Sequence, residues 1–333
     1  MDRRTVLGLG AAALTAMAAR AENMKPDGTL STDPTEVVPL WPGTPPGGEG
    51  VALSAKIVER SAELDMYHDR FVAQIGTPLM TVFRPERPDG SALLLAPGGG
   101  YTRIVIDKEG AEAARRFNAS GMTVFVLRYR LPGEGWARAA DVPLQDAQRA
   151  MRLIRAGAQR FAIDANRLGV MGFSAGGHVA ASLATRRNDP VYAAIDEADK
   201  LDARPNFAAL MYPVITMGEG AHAGSRTNLL GPNPSPEMIA AYSCEKHVSR
   251  DTPPTFICLA ADDDGVPPAA NGIAMAEALR AAKVPSELHV FQEGGHGFGI
   301  RLAKGKPASA WPDLLLHWGW RGGWFRDPSA RAQ

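Results

Sequence analysis

Short apolar segments alternate with segments of helical periodicity along most of this chain, and this alternation restricts the folds it can adopt. Ser91–Ala96, Met122–Arg128 and Arg167–Phe173 are short and largely apolar, as buried strands are. Asp107–Ser120 and Pro143–Phe161 instead repeat apolar residues at the spacing of a helix. Strands with no polar face need helices on both sides of the sheet. The pattern therefore predicts an α/β fold with a mostly parallel central sheet.

The same patterns continue towards the carboxyl end. Further strands are predicted at 78–84, 207–212, 255–261 and 287–291, and further helices at 175–187 and 269–283. We therefore expect residues 40–326 to form a single domain, with a small insertion at about 215–248 over one edge of the sheet. The length of the chain and its hydrophobic content of 45% are sufficient for a sizeable core.

The amino terminus has the pattern of a leader peptide. Arg3 and Arg4 precede a short apolar run that ends in Ala19-Arg20-Ala21, so residues 1–21 are predicted to be a signal peptide. The paired arginines are typical of a twin-arginine signal, with an ordinary secretory signal as the alternative. We expect an exported protein, periplasmic or secreted. Residues 22–39 are predicted to be a flexible tether, because they are polar and lack periodicity.

Charge and cysteine content exclude several classes of protein. The chain has 36 basic and 36 acidic side chains, and removal of the leader leaves it slightly acidic. That balance provides no basic surface, so we expect neither nucleic acid nor a membrane as a partner of the mature protein. Cys244 and Cys258 are too few for a disulfide framework and lack metal-ligand spacing. No metal or organic cofactor is implied, and nothing in the sequence selects an oligomeric state.

One serine lies in a glycine-flanked turn between a predicted strand and a predicted helix. Gly172-Phe-Ser174-Ala-Gly176 has the form G-x-S-x-G. A serine on so sharp a turn needs small neighbours, because adjacent strands approach it closely. The following helix directs free N–H groups towards an anion formed at the serine. A glycine-rich turn with a capping serine has a similar composition, but the strand-turn-helix context favours a nucleophilic Ser174.

A serine hydroxyl needs a base, and the base needs an acid that orients it. His296 is the best candidate base, since Glu293-Gly-Gly-His296-Gly forms a glycine-rich loop after the last predicted strand. The acid is expected after the preceding predicted strand. There the residues themselves leave three candidates open, Asp262, Asp263 and Asp264. Aspartates in such a turn also satisfy backbone N–H groups.

A further glycine-rich segment follows the strand predicted at 91–96. Pro97-Gly-Gly-Gly-Tyr101 exposes consecutive backbone N–H groups with no side chain in the way. Joined by the N–H of Ala175, these groups would form an oxyanion hole for a tetrahedral intermediate. A merely flexible glycine loop is the alternative interpretation.

Together these segments resemble the α/β-hydrolase superfamily, and more narrowly its bacterial acetyl esterases and acetylxylan or feruloyl esterase-like enzymes. The resemblance extends from about Val37 to Phe325, with the motifs in the same order, and it implies an α/β-hydrolase fold. Pro97 stands where the related lipase branch has a histidine, which argues against that branch.

The resemblance also implies roles for particular residues. The superfamily acid usually stands in D-x-x-V-P, which here implies Asp263 because Val266 and Pro267 follow it. The implied oxyanion donors are Gly99, Gly100 and Ala175.

The expected activity is hydrolysis of carboxylic esters through an acyl-enzyme, with removal of acetyl groups from carbohydrate such as xylan. A general short-chain carboxylesterase, a serine exopeptidase and a catalytically silent hydrolase-fold binding protein are the alternatives. Tyr101 is predicted to contact substrate, since an aromatic ring stacks on sugars, with a role as a loop anchor as the alternative. His222, in the insertion, is a further candidate contact.

Overall fold

The central sheet forms where the apolar runs predict it. The computed structural model describes residues 24–25 and 28–327, so the predicted leader 1–21 lies outside the described residues. Within the described part the strands are β1 (Val37–Pro39), β2 (Lys56–Val58), β3 (Phe71–Ala73), β4 (Leu79–Phe83), β5 (Ala92–Ala96), β6 (Ile104–Val105), β7 (Thr123–Arg128), β8 (Leu168–Phe173), β9 (Ala208–Met211), β10 (Thr255–Ala260) and β11 (Ser286–Phe291).

The amphipathic segments between the strands form the helices. These are α1 (Glu112–Asn118), α2 (Val142–Ala156), α3 (Ala158–Phe161), α4 (Ala175–Arg186), α5 (Ala223–Leu230), α6 (Pro236–Tyr242), α7 (Ala274–Ala281) and α8 (Trp311–Arg321). The predicted helix 143–161 is divided into α2 and α3 at Gly157, because glycine has the weakest helical preference after proline. None of the helices in the described ranges is long and apolar enough to cross a bilayer.

Eight of the strands form the main sheet, in the order β1-β4-β7-β5-β8-β9-β10-β11. From β7 to β11 every neighbouring pair is parallel, whereas β1 and β4 form an antiparallel edge. Strands β5 and β8, at the centre, are buried along their whole length, and β11, at the opposite edge, alternates between exposed and half-buried residues. The predicted mostly parallel α/β sheet is confirmed.

Two residues at the end of β8 show that helices cover both faces of the sheet. A Cβ at Gly172 would lie 2.8 Å from the Ala180 Cβ of α4. The next residue, Phe173, contacts Trp311 of α8, with the ring centroids 6.0 Å apart. Successive residues of a strand point to opposite faces, so α4 and α8 lie on opposite sides of the sheet.

The amino-terminal part of the described chain corrects one prediction. The predicted tether 22–39 includes β1, which pairs with β4, and Asp33, which forms a 2.6 Å ion pair with Arg70. Its described part is therefore attached to the domain by main-chain pairing and by a charge pair, neither of which local periodicity reveals. Strands β2, β3 and β6 form a second, three-stranded antiparallel sheet, and they are too short to give a sequence pattern.

Candidate active site

The parallel strands bring the predicted site residues to one edge of the main sheet. Ser174 follows β8 directly, Asp263 follows β10, and His296 lies in the loop after β11 (residues 292–300, the histidine loop). The glycine-rich segment, residues 97–101, follows β5, which pairs with β8. Carboxyl ends of parallel strands share an edge, so residues that are far apart in sequence meet there.

The turn at Ser174 is strained and tightly enclosed. Ser174 has φ 53° and ψ −119°, a conformation that costs a non-glycine residue roughly 1–3 kcal/mol. Its backbone N–H donates to the Met211 carbonyl at 3.0 Å, which ties the turn to β9. A Cβ at Gly176 would lie 2.1 Å from the Ala96 carbonyl oxygen, so only glycine allows α4 to approach β5 this closely. Strain and close packing together fix the serine hydroxyl at the edge of the sheet.

Ser174, His296 and Asp263 form a continuous hydrogen-bonded relay. Ser174 Oγ lies 2.8 Å from His296 Nε2, and His296 Nδ1 lies 2.7 Å from Asp263 Oδ2. A carboxylate only accepts hydrogen bonds, so Nδ1 carries the imidazole proton and Nε2 accepts from the serine hydroxyl. The Asp263 side chain is buried, whereas the His296 side chain is 30% exposed. This arrangement can withdraw the serine proton while remaining accessible to a substrate.

The three consecutive aspartates differ in what they contact. Asp263 faces His296 with one oxygen, and its other oxygen accepts the N–H groups of Gly265 and Val266 at 3.0 and 2.8 Å. Those two bonds fix the orientation of the carboxylate. Asp264 is exposed. The geometry thus pairs the histidine with the aspartate that the resemblance implies.

Asp262 holds the histidine loop instead. Its carboxylate accepts the N–H of Gly295 at 2.8 Å and the N–H of Gly294 at 3.2 Å. These backbone hydrogen bonds, that from Gly295 above all, lower the pKa of Asp262. The residue before Asp263 therefore positions the loop that carries His296.

The glycine-rich segment lies directly against the serine turn. A Cβ at Gly98 would come within 2.9 Å of the serine Cβ, and the Gly98 N–H donates to Glu109 Oε2 at 2.9 Å. Among the described residues the N–H groups of Gly99 and Gly100 have no acceptor. Ala175 is the first residue of α4, where N–H groups lack intrahelical partners. The three predicted donors thus retain their N–H groups for an oxyanion.

A buried carboxylate links the glycine-rich segment to the histidine loop. Besides the Gly98 N–H, Glu109 accepts the Tyr212 hydroxyl, at 3.0 Å on Oε1. The Tyr212 oxygen in turn accepts the Gly299 N–H at 3.2 Å, and the Tyr212 ring meets His296 edge-on with centroids 5.3 Å apart. Burial raises the pKa of Tyr212 well above its usual range, and Glu109 raises it further. Sequence patterns missed this pair, because Glu109 stands near the start of the helix predicted at 107–120, where it looks ordinary, whereas the structure places it in a π-helical turn (Asp107–Ala111) before α1 and brings it to Tyr212.

Tyr101 does not lie where a substrate contact was predicted. Its side chain is 2% exposed, and its hydroxyl lies 2.7 Å from His178 Nδ1. Burial lowers the pKa of His178 to about 4, so the neutral imidazole accepts the Tyr101 proton and donates from Nε2 to the Tyr242 carbonyl. The edge-on contact with Tyr129 completes an enclosed site for the ring. Tyr101 thus anchors the glycine-rich segment from the interior, and the prediction of a substrate contact is corrected.

The insertion contributes two residues near the site. Asn228 of α5 donates to the Gly100 carbonyl at 2.8 Å, which joins α5 to the glycine-rich segment. His222 precedes α5, and its Nδ1 accepts the Ser225 N–H at 3.1 Å. Burial lowers the pKa of His222, and the nearby His296 lowers it further. Helix α5 therefore lies against the glycine-rich segment, with His222 near His296.

The cysteines take no part in this arrangement. Cys244 and Cys258 are buried free thiols. Burial raises the pKa of both, that of Cys244 to about 12, so neither is a thiolate near neutral pH. Within 24–25 and 28–327, no group of three His, Cys, Asp or Glu side chains is arranged to hold a metal ion.

Several known proteins are similar to this chain in sequence. The model of the BD-FAE family matches residues 86–279, which include Ser174 and Asp263. An acetylxylan esterase of Xylanibacter ruminicola is 37% identical over 229 residues, which cover 68% of this chain and 44% of that protein. Endo-1,4-beta-xylanase B of Butyrivibrio fibrisolvens is 41% identical over 213 residues, which cover 62% of this chain and 32% of that protein. The chain spans less than half the length of either curated relative.

Similar solved structures extend over most of the chain. The acetyl ester-xyloside bifunctional hydrolase from Caldicellulosiruptor lactoaceticus is 31% identical, with a TM-score of 0.70, and the match covers 89% of this chain and 99% of that one. The carboxylesterase Cest-2923 from Lactobacillus plantarum, at 23% identity and a TM-score of 0.62, shares the fold over 83% of this chain and 99% of its own. The predicted α/β-hydrolase fold is confirmed.

Proposed function

We propose that this chain, which belongs to the BD-FAE family of α/β-hydrolase esterases, is a serine carboxylic-ester hydrolase that removes short acyl groups, chiefly acetyl, from carbohydrate such as xylan. The relay from Ser174 through His296 to Asp263 is the observation that carries this proposal. An acetylxylan esterase among its relatives and an acetyl ester-xyloside hydrolase among similar structures support a carbohydrate ester as the substrate.

The first half of the proposed reaction forms a tetrahedral intermediate. His296 Nε2 takes the proton of Ser174 Oγ as that oxygen attacks the ester carbonyl carbon. The carbonyl oxygen becomes an oxyanion and accepts hydrogen bonds from the N–H groups of Gly99, Gly100 and Ala175. A donor of this kind typically contributes about 2.7–4 kcal/mol to transition-state stability.

The second half releases the two products. The imidazolium of His296 gives its proton to the sugar oxygen as the ester C–O bond breaks, which leaves acetyl on Ser174 Oγ. A water that His296 deprotonates then attacks the acyl carbon. Collapse of the second intermediate returns the proton to Ser174 and releases acetate. Asp263 orients the imidazole and stabilises its positive charge in both halves.

Substitution of the nucleophile tests the reaction type. We expect Ser174→Ala to lower kcat on 4-nitrophenyl acetate by about 10⁴-fold or more, because the acyl-enzyme can no longer form. Its thermal unfolding should match that of the wild type. A fluorophosphonate probe should label the wild type and not the variant. Near-wild-type hydrolysis by Ser174→Ala would overturn the assignment, and an unlabelled wild type would favour a silent binding protein.

A panel of substrates tests the chemical class. Acetate release from acetylated xylan should exceed hydrolysis of 4-nitrophenyl octanoate in kcat/KM, since the proposal is for short acyl groups on sugar. A preference for octanoate would contradict a carbohydrate acetyl esterase. Turnover of aminoacyl-naphthylamides would favour the exopeptidase.

We also propose export of the protein, with removal of residues 1–21. The paired Arg3 and Arg4 and the Ala19-Arg20-Ala21 pattern support it. Expression with residues 1–21 present should give an extracytoplasmic protein whose measured mass is that of a chain beginning at Glu22. Replacing both arginines by lysine should block export by the twin-arginine route. Export unaffected by that change would indicate an ordinary secretory signal, and a cytoplasmic protein that retains residues 1–21 would contradict export.

A further inference from the structure

A groove of about 600 Å³ lies beside the proposed oxyanion hole. One wall is the loop after β7, from Pro132 to Asp141, and the other is formed by α5 with Met238 and Tyr242 of α6. The volume is within the range of small-molecule sites, about 300–1,000 Å³. The groove opens to solvent, since the Met238 side chain is 38% exposed.

The inner end of the groove adjoins the proposed reaction centre. Asn228 lines the groove, and its Nδ2 donates to the Gly100 carbonyl at 2.8 Å. The N–H of the same glycine is a proposed oxyanion donor. Asn228 therefore joins the wall of the groove to the segment that carries two of the proposed oxyanion donors.

The polar groups of the groove form a neutral cluster. Asp141 accepts from Arg138 Nη2 on one oxygen and from the Tyr242 hydroxyl on the other, each at 2.7 Å. Of the described residues that line the groove, Arg138 and Asp141 are the only charged ones, and they neutralise each other. The Arg138 side chain is 60% exposed while Asp141 is nearly buried, so further guanidinium N–H groups remain available at the rim.

Arg138 also has a strained backbone. Its φ of 53° and ψ of 46° lie in the left-handed region, which non-glycine residues occupy uncommonly. Asparagine or glycine would satisfy this conformation at lower cost. A glycine substitution at this position therefore removes the side chain without straining the backbone further.

The lining excludes some classes of occupant. A long acyl chain would have to remove water from the Arg138–Asp141 pair without replacing its hydrogen bonds, which is unfavourable. An anion or a cation gains little from a pair whose charges cancel. A neutral molecule rich in hydroxyl groups satisfies the free donors and rests its apolar face on Leu229, Leu230 and Met238. That description fits a saccharide.

We propose that this groove is a saccharide subsite that holds sugar units of the substrate next to the acylated one, with Arg138 donating hydrogen bonds to their hydroxyl groups. This inference rests on the proposed function and extends it from the reacting ester to the adjoining carbohydrate. Xylotriose, which has no ester to cleave, should occupy the groove and inhibit hydrolysis of 4-nitrophenyl acetate.

Arg138→Gly is the sharpest test, because glycine accepts the left-handed backbone while it removes the side chain with its guanidinium and the ion pair to Asp141. We expect the inhibition constant of xylotriose to rise by about 10-fold or more, as for loss of a charged hydrogen-bond donor, and kcat/KM on acetylated xylo-oligosaccharides to fall equally. Hydrolysis of 4-nitrophenyl acetate should stay within about twofold of wild type. Lys283→Gly is the matched control, since Lys283 is also an exposed cation at positive φ, 59°, outside the groove.

A second variant fills the groove instead of emptying it. Thr227 is exposed on α5, so Thr227→Phe should leave folding intact while its ring competes with the sugar. We expect weaker xylotriose inhibition in this variant as well. Unchanged inhibition in both variants, with 4-nitrophenyl acetate hydrolysis intact, would overturn the subsite and leave the esterase standing. A selective loss of 4-nitrophenyl octanoate hydrolysis in Thr227→Phe would show an acyl pocket and also overturn it.

Discussion

The serine turn and the histidine loop meet at one hydrogen bond but are held in place by different means. The serine turn is confined by backbone atoms, since a Cβ at Gly176 would lie 2.1 Å from the Ala96 carbonyl oxygen. The histidine loop is open at its tip, where a Cβ at Gly295 would meet no atom within 4 Å, whereas a Cβ at Gly294 would lie 2.9 Å from the Ala260 Cβ. Besides the packing of the buried Phe298, its position depends on acceptors from elsewhere, the Asp262 carboxylate and the Tyr212 hydroxyl.

This difference separates two ways of positioning a reactive group. Close backbone packing admits no side chain, and it does not depend on the protonation of any group. Hydrogen bonds to the histidine loop can instead be removed one at a time. Removal of one should displace His296 more than it destabilises the fold. Substitutions in the two regions should therefore divide into those that damage stability and those that damage turnover.

The largest effect should come from the acid that orients the base. Asp263→Asn preserves shape but no longer imposes the required tautomer on His296, so we expect kcat on 4-nitrophenyl acetate to fall by about 10⁴-fold with the fold intact. Asp262→Asn keeps one acceptor oxygen for the histidine loop, so we expect its kcat to fall by no more than several-fold. Equal losses, or a larger loss for Asp262→Asn, would contradict the division of roles between the two carboxylates.

Adding one methyl group at Gly176 tests directly whether close backbone packing confines the serine turn. Gly176→Ala places a Cβ against the Ala96 carbonyl, so we expect about 4 kcal/mol or more of lost stability, or no folded protein. Gly295→Ala is the control in the histidine loop. The φ of 65° at Gly295 should cost the alanine about 1–2 kcal/mol of stability, but its added methyl group meets no atom within 4 Å. Chemical denaturation measures both. Similar losses in the two variants would remove the contrast between the regions.

The stability of the region around the serine turn should nevertheless depend on pH, because the buried His178 of α4 can be protonated. His178 has a pKa of about 4 in the folded protein against 6.5 for the free side chain, so its contribution to stability is present above pH 6.5 and is lost as pH falls towards 4. The loss should reach about 3 kcal/mol, because one pKa unit is worth about 1.4 kcal/mol. Denaturation midpoints at about pH 7.5 and pH 4.5 should differ more in the wild type than in His178→Gln. An equal acid response in both would show that the Tyr101–His178 contact does not titrate.

The smallest effect should come from one tether of the histidine loop. Tyr212→Phe leaves the Gly299 N–H and one oxygen of Glu109 without this partner, and we expect about 1–3 kcal/mol of lost stability together with a lower kcat. Tyr192→Phe is the control, because its hydroxyl also bonds to a carboxylate, Asp199, but lies away from the site. If kcat falls equally in the two variants, the Tyr212 hydroxyl has no special role in positioning His296.

The sequence predicts those parts of the molecule in which chemistry or sterics allows only a few residue types at a position. Ser174 and His296 stand out because a strand-turn-helix and a glycine loop impose residue types at fixed spacings. The choice among the three aspartates needed the family pattern, since all three fit a turn.

The rest depends on contacts between segments that are distant in the chain. Glu109 and Tyr212 are separated by 103 residues, and neither belongs to a local motif. Tyr101 was misjudged because sequence shows an aromatic ring beside glycines but not the buried His178 that accepts its proton. The described part of 22–39 was misjudged because its contacts with Arg70 and β4 join segments that are distant in the chain, and local periodicity does not show such pairing.

The two buried thiols have a consequence for where such a domain can work. Cys258 lies in β10, and the Cys244 sulfur is packed against Ser182 Oγ at 3.4 Å. Oxidants and disulfides react with the thiolate, and burial keeps both groups protonated and enclosed. The folded domain therefore needs no disulfide bond between these cysteines, and neither sulfur is accessible to oxidants. It is as compatible with reducing surroundings as with oxidising ones.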